Sequence, residues 1–246
     1  MSPFTPTLAR LVVCGLAALA SSTALAQGLS TLRVTEAMSS SGVGGTADWW
    51  EVTNYGSSAV GIAGWKFDDS SFAFANSVAL NGVTSIAAGE TVAFLETTTL
   101  DSGSAATQVA AFRSFWGGSA SSAQIGYYAG SGISFSSAGD GLVLYDALGV
   151  ETTPRVTFGA ATSGASFYYS YDSTGNPTTS PNTNAIVSAV GTIDGQVTYL
   201  SATSLPQNTG SPGTAINAVP EPTSLATLAC GGLLGLGFAA RRRRQA

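Results

Sequence analysis

The 246-residue chain contains no histidine. That excludes Ser-His-Asp and Cys-His catalysis, and it removes the imidazole ligands common in zinc sites. There are two cysteines, Cys14 and Cys230, one towards each end. The stretch from Gln27 to Val219 therefore has no disulfide and no thiolate, and must hold together by burying a core. Charge is scarce too, at 9% of residues against about a quarter in an average soluble domain. Of the nine basic residues, only Arg33, Lys66, Arg113 and Arg155 lie in that stretch. Thirteen acids accompany them, a net charge of −9, which rules out a phosphate-neutralising nucleic-acid surface. Such acidity favours solubility and attracts cations or basic partners. No P-loop or dinucleotide-type glycine pattern joins a strand to a helix.

The two ends are apolar. Arg10 precedes an apolar run, Leu11 to Ala20, followed by Ala24-Leu25-Ala26. A charged start, a short apolar stretch and small residues spaced A-x-A predict a signal peptide over 1–26, cleaved at Ala24, Ala26 and Gln27. At the other end, Val219, Pro220, Glu221 and Pro222 form a short rigid piece. Residues 223–240 follow without a single charge, then Arg241, Arg242, Arg243 and Arg244. The run is long enough for a transmembrane helix, and lipid forces it to be helical despite its four glycines. The arginines belong on the cytoplasmic side, which puts the rest of the chain outside. Cys230 falls mid-span and reads as a small apolar filler, with lipidation as the alternative.

This order of Pro-Glu-Pro, apolar run and arginine block resembles the PEP-CTERM sorting signal of Gram-negative bacteria. The resemblance implies export through the Sec machinery and recognition by an exosortase, a membrane protease-transpeptidase that removes the tail. It also implies a destination in the outer envelope or the extracellular polymer matrix. A plain membrane anchor is the alternative.

Between the ends, short alternating runs are split by Gly, Ser, Asn and Asp, a pattern that predicts an all-β sandwich or barrel. Leu32 to Met38 alternates, with Leu32, Val34 and Glu36 on one face. Asp48 to Asn54 and Val60 to Phe67 make the next two strands, Trp65 and Phe67 sharing a face. Thr91 to Glu96 is apolar on both faces and is expected to be central. Val109, Phe112, Phe115 and Trp116 change the period to that of a short helix, stopped by Gly117-Gly118. Ile125–Tyr128, Leu142–Tyr145, Arg155–Phe158 and Ser166–Tyr169 return to strand texture. Ala185 to Leu200 predicts a hairpin turning at Asp194-Gly195. The domain is expected over 27–204, a polar linker over 205–219 and the sorting segment over 220–246.

Several of these segments, in this order, resemble the lamin-tail domain. The carriers are Val34-Thr35-Glu36-Ala37, Asp48-Trp49-Trp50-Glu51-Val52-Thr53-Asn54 and Gly64-Trp65-Lys66-Phe67-Asp68-Asp69. Ala88-Gly89-Glu90, Gly139 to Asp146 with Gly149, and the closing Gly210-Ser211-Pro212-Gly213 complete the set. The resemblance implies an immunoglobulin-like β-sandwich with a binding or architectural role. The helix near Phe112 and the stretch 171–200 depart from a minimal domain of that kind.

Carboxylates are the one source of chemistry left. Glu36, Asp48, Glu51 and Glu90 are the candidates for an acid/base pair, weighed against service as turn, cap and surface acids. Asp68, Asp69 and Asp140 lie in oxygen-rich loops and are weak calcium candidates, although no D-x-D-x-D-G loop is present. Tyr127, Tyr128, Tyr168, Tyr169 and Tyr171 are candidates for a recognition platform, one ring of each adjacent pair facing outward. The favoured reading is an exported, non-enzymatic structural or adhesive protein of the envelope or a biofilm matrix, without a cofactor. The rivals are a carbohydrate- or partner-binding module of a secreted system and, behind it, a carboxylate-dependent hydrolase.

Overall fold

The structure is a computed structural model that describes residues 30–41, 47–98, 101–129, 133–172, 175–178, 186–193, 196–202 and 207–215. The expected signal peptide over 1–26, the expected sorting segment over 220–246 and its apolar run 223–240 lie outside these residues. Among the described residues no helix is long and apolar enough to cross a membrane.

Among the described residues fifteen short strands and one α-helix follow one another. The first two are β1 (Leu32–Met38) and β2 (Trp49–Asn54). The run expected as one strand over Val60–Phe67 is divided into β3 (Val60–Gly61) and β4 (Lys66–Asp68). Gly64 turns the chain between them at φ 76°, a conformation that favours glycine, so the two pieces enter different sheets. Next come β5 (Val78–Ala79), β6 (Ser85–Ile86) and β7 (Thr91–Thr97). The helix α1 spans Ser102–Trp116, two turns earlier than the apolar spacing alone indicates. Asp101 sets that start by accepting from the Ser104 N–H at 2.8 Å, while Gly117, at φ 63°, ends the helix. Then follow β8 (Gln124–Ala129), β9 (Asp140–Tyr145), β10 (Val156–Phe158), β11 (Phe167–Tyr168) and β12 (Ile186–Val187). The last three are β13 (Gly191–Ile193), β14 (Gln196–Leu200) and β15 (Thr209–Gly210). β13 and β14 pair as the expected hairpin; its turn lies outside the described residues.

Two sheets make the sandwich. One runs β12-β11-β1-β2-β7-β8 and the other β10-β9-β4-β5. Trp50, Phe67, Phe94, Tyr128, Phe158 and Phe167 fill the space between them with Leu32, Val34, Leu142 and Leu144. Trp50 stacks on Phe94 with ring centroids 4.7 Å apart, and Trp65 also belongs to this core. Gly126 makes the stack possible, because a Cβ there would lie 2.4 Å from the Phe94 ring.

A second core lies on the other face of the larger sheet. Met38, Trp49, Leu95 and Ile125 meet Phe112 and Trp116 of α1 there. The helix joins β7 to β8, which are parallel and therefore need a crossover connection. The departure from a minimal sandwich is thus a third layer. It explains why every residue of β2 is buried and why β7 is apolar on both faces.

Candidate functional site

The back face of β2, towards the helix, carries Trp49, Glu51 and Thr53 in succession, since alternate residues share a face. Each meets a different cover. Trp49 sits under α1, edge-on to Trp116 at 5.5 Å. Glu51 sits under the segment after β15. Thr53 lines an open cleft.

Glu36 reaches the same place through a bulge. The β1–β2 register shifts between Val34 and Glu36, so Glu36 turns away from Leu32 and Val34 to the back face. The sequence-based expectation put these three on one face; the extra residue reverses the parity. Glu36 and Glu51 are register partners, both fully buried. Ala93, opposite Glu51 on β7, keeps the neighbouring space small-sided.

Among the described residues no cation answers the pair; neutral donors do. Glu36 accepts from the Ser211 N–H at 2.9 Å, the Ser211 hydroxyl at 2.6 Å and the Ser166 hydroxyl. Glu51 accepts from the Thr35 hydroxyl at 2.8 Å and the Gly213 N–H at 3.0 Å. Burial, offset only in part by these bonds, pushes Glu36 up to about 7. Burial and then the neighbouring Glu36 raise Glu51 as well.

The donors come from the closing Gly-Ser-Pro-Gly. Gly210 lies so close that a Cβ would be 2.8 Å from Glu36 Oε1 and 3.0 Å from the Trp116 ring. Residues 207–215 were expected in a linker; they are instead strapped across the sheet. Ser211 and Pro212 are buried, and β15 pairs with β14.

Beside the strap lies a cleft of about 570 Å³, open to solvent. Thr53 and Tyr55 of β2 and its turn, Glu90 and Thr91 at the start of β7, and Gln124 of β8 line one side. Ser119, Ser122 and the strap residues Gly213 to Ala215 line the other. Thr91, Thr53 and Thr35 form a hydroxyl chain, with oxygens 2.9 and 3.1 Å apart, that ends on Glu51. Each hydroxyl has one proton. Thr35 donates to Glu51, so Thr53 donates to Thr35 and Thr91 to Thr53. Thr91 therefore offers the cleft an acceptor. Glu90 accepts from the Ala87 N–H and from Gln124 Nε2, both at 2.6 Å.

The other sequence candidates are dispersed. Asp48 is half-buried and raised to about 7 by burial, then by Glu96 and Asp140; Glu90 is in the cleft. Of the four acid/base candidates, only Glu36 and Glu51 meet, and they are sealed from any external substrate.

Asp140 accepts from the N–H groups of Ser70, Gly141 and Ser136. Asp68 Oδ2 accepts from Ser71 and Ala73, and Asp69 from the Ser71 N–H. Asp68 Oδ1 alone is buried without a partner. Most of these carboxylate oxygens already accept hydrogen bonds, and calcium takes six to eight oxygens. Among the described residues no three His, Cys, Asp or Glu side chains are grouped to hold a metal ion.

The tyrosine platform is also dismantled. Tyr128, Tyr168 and Tyr169 are all buried, Tyr127 is half-buried, and Tyr171 donates to the Val34 carbonyl at 2.5 Å. Asn54 does what a strand-end amide was expected to do. It donates to the carbonyls of Ser58 and Ile86 and accepts from Thr31 and Gly56.

The two packed sheets define an immunoglobulin-like β-sandwich, a fold that suggests a structural or binding module. The chain belongs to the lamin tail domain family, whose model matches residues 26–160. Glu36 and Glu51 with their strap donors form a clasp whose closing half, Ser211 to Gly213, lies beyond that match. No curated protein and no solved structure matches the chain.

Proposed function

We propose that the protein is an exported, non-enzymatic structural or adhesive component of the envelope or extracellular polymer matrix of a Gram-negative bacterium. It is delivered by the Sec machinery and sorted by an exosortase. The observation that carries this reading is the order Val219, Pro220, Glu221 and Pro222, an uncharged apolar run over 223–240, then Arg241, Arg242, Arg243 and Arg244. The A-x-A site before Gln27 supports it from the other end. A family whose domain serves as a structural or binding module fits such a role, and so does a net charge of −9, which discourages nucleic acid. The membrane is then a transient stop, with the apolar run as its anchor in transit.

The test is the intact mass and C-terminal residue of the protein recovered from cells. An end near Pro220–Pro222, lost when Pro220 and Pro222 are replaced by alanine, is the expected result. Protein ending at Ala246 in the membrane fraction refutes sorting.

A further inference from the structure

We propose that the cleft between the β2–β7–β8 end of the large sheet and the strap is a binding site for a neutral glycan chain. The inference deepens the reading of this domain as a binding module.

The lining selects the ligand. Among the described residues no lysine or arginine lines the cleft, and Arg113 behind it is turned to the Ala123 carbonyl at 2.8 Å, so a phosphate, sulfate or uronate would enter beside Glu90 without a lining counter-charge. Its lining is rich in small polar side chains: Thr53, Thr91, Ser119, Ser122, Thr214 and Gln124. Each of these side chains already donates within the fold, so what it presents to the cleft is acceptor capacity, which an apolar ligand would leave unmet. A cation would find a single carboxylate among the described lining residues, Glu90, whose two oxygens each already accept a hydrogen bond.

What remains is a ligand that is uncharged, rich in hydroxyl donors and apolar on one face. A pyranose ring has that character. Its hydroxyls would donate to the Thr91 oxygen, whose own proton is committed inward along the threonine chain. Its C–H face suits Tyr55, the one aromatic ring in the lining. A volume of about 570 Å³ is in the usual range for small-ligand sites, and the opening to solvent lets a chain continue beyond the bound units.

The site is also preorganised. Thr91 is held by Thr53 and Gln124 by Glu90, and the wall at Gly213 is fixed by Glu51. Little ordering cost is left for binding.

The experiment is calorimetric titration of the purified full chain in a sugar-free zwitterionic detergent. The probes are cellohexaose, maltohexaose and mannohexaose, with a galacturonate hexamer and spermidine as charged comparisons. At least one neutral hexamer is expected to bind with Kd of about 1 mM or tighter, the level of a single weak module. The variants Gln124→Ala and Thr91→Val are each expected to weaken that binding roughly tenfold, the loss of one hydrogen bond. Leu148→Ala, on an exposed turn remote from the cleft lining, is expected to leave it unchanged. Melting curves of all three variants separate lost binding from lost fold. Three outcomes overturn the proposal: no heat from any neutral hexamer at about 10 mM, binding confined to galacturonate or spermidine, or binding that survives both cleft substitutions. None of them touches the sorting reading, which rests on the C-terminal end of the processed chain.

Discussion

Raising the pH should loosen this protein, and the buried glutamate pair sets by how much. Burial moves Glu36 from 4.5 to about 7 in the fold. An acid whose folded value lies above its unfolded value holds its proton more tightly when folded. Its contribution is complete below the unfolded value and is lost as pH rises through the folded one. At roughly 1.4 kcal/mol per pH unit, the whole span is worth about 3 kcal/mol. From pH 5 to 8 the expected fall is about 2–3 kcal/mol, a large part of a typical domain's 5–15. Glu51 is raised in the same direction and extends the loss upward. Asp48 titrates in the same window but is partly exposed, so its share is smaller. The other ionisable groups whose fields reach the pair are the tyrosines Tyr55 and Tyr199, which stay neutral in this range.

The assay is urea unfolding at half-unit pH steps. It is read by tryptophan fluorescence, since Trp49, Trp50, Trp65 and Trp116 are all buried. Glu36→Gln keeps the shape and removes the proton equilibrium. It should cost about 1–2 kcal/mol at pH 5, where an acceptor is lost, and little at pH 8. Its pH profile should be shallower than the native one, keeping only the part due to Glu51 and Asp48, whereas Asp48→Asn should keep most of the native slope. Native stability that is level or rising from pH 5 to 8, or an undiminished slope in Glu36→Gln, would refute the account of the clasp.

Four further outcomes are expected. Trp65→Ala, and more so the fully buried Trp50→Ala, should lower unfolding free energy by about 3–5 kcal/mol; an unchanged melting temperature would remove Trp65 from the core. Gly126→Ala should cost about 1–3 kcal/mol, because the new methyl displaces the Phe94 ring from Trp50; crystallography or ring-current NMR shifts would report the displacement. Asp101→Ala should cost about 1 kcal/mol and fray the first turn of α1, measurable by amide exchange at Ser104. Millimolar calcium should leave the melting temperature where it is, since Asp140 and Asp69 are bonded to backbone N–H groups; a shift abolished by Asp68→Asn would reverse that conclusion.

Much of the sandwich was legible because its strands carry strong local signals. Trp50 and Trp65 announce a core, Asn54 announces a strand end, and the flat apolar run at Thr91 announces a covered strand. The helix was legible from Phe112 and Trp116, but its job was not. Nothing in its own residues says that β7 and β8 are parallel. The candidate site was visible in pieces and not as a whole. Glu36, Glu51 and Ser211–Gly213 each stood out as motif residues, yet their meeting depends on a bulge at Thr35 that alternation cannot foresee. It also depends on a contact spanning 175 positions. The strap looked like a linker because Ser, Pro and Gly compose both. Only the partners of its N–H groups distinguish them. The tyrosines were half legible: Tyr128 enters the core while Tyr127 stays half-buried, as alternation assigns, whereas Tyr168 and Tyr169 are both buried.

The clasp has a mechanical consequence. Glu36 belongs to the first strand and Ser211 to the last described segment, and they are bonded directly. A pull applied between the two ends of the domain therefore loads that junction together with the β1–β2 ladder that precedes it. Part of the load passes from one end of the chain to the other across a few short bonds, and acidity of the surroundings sets how firmly the carboxyl groups among them hold.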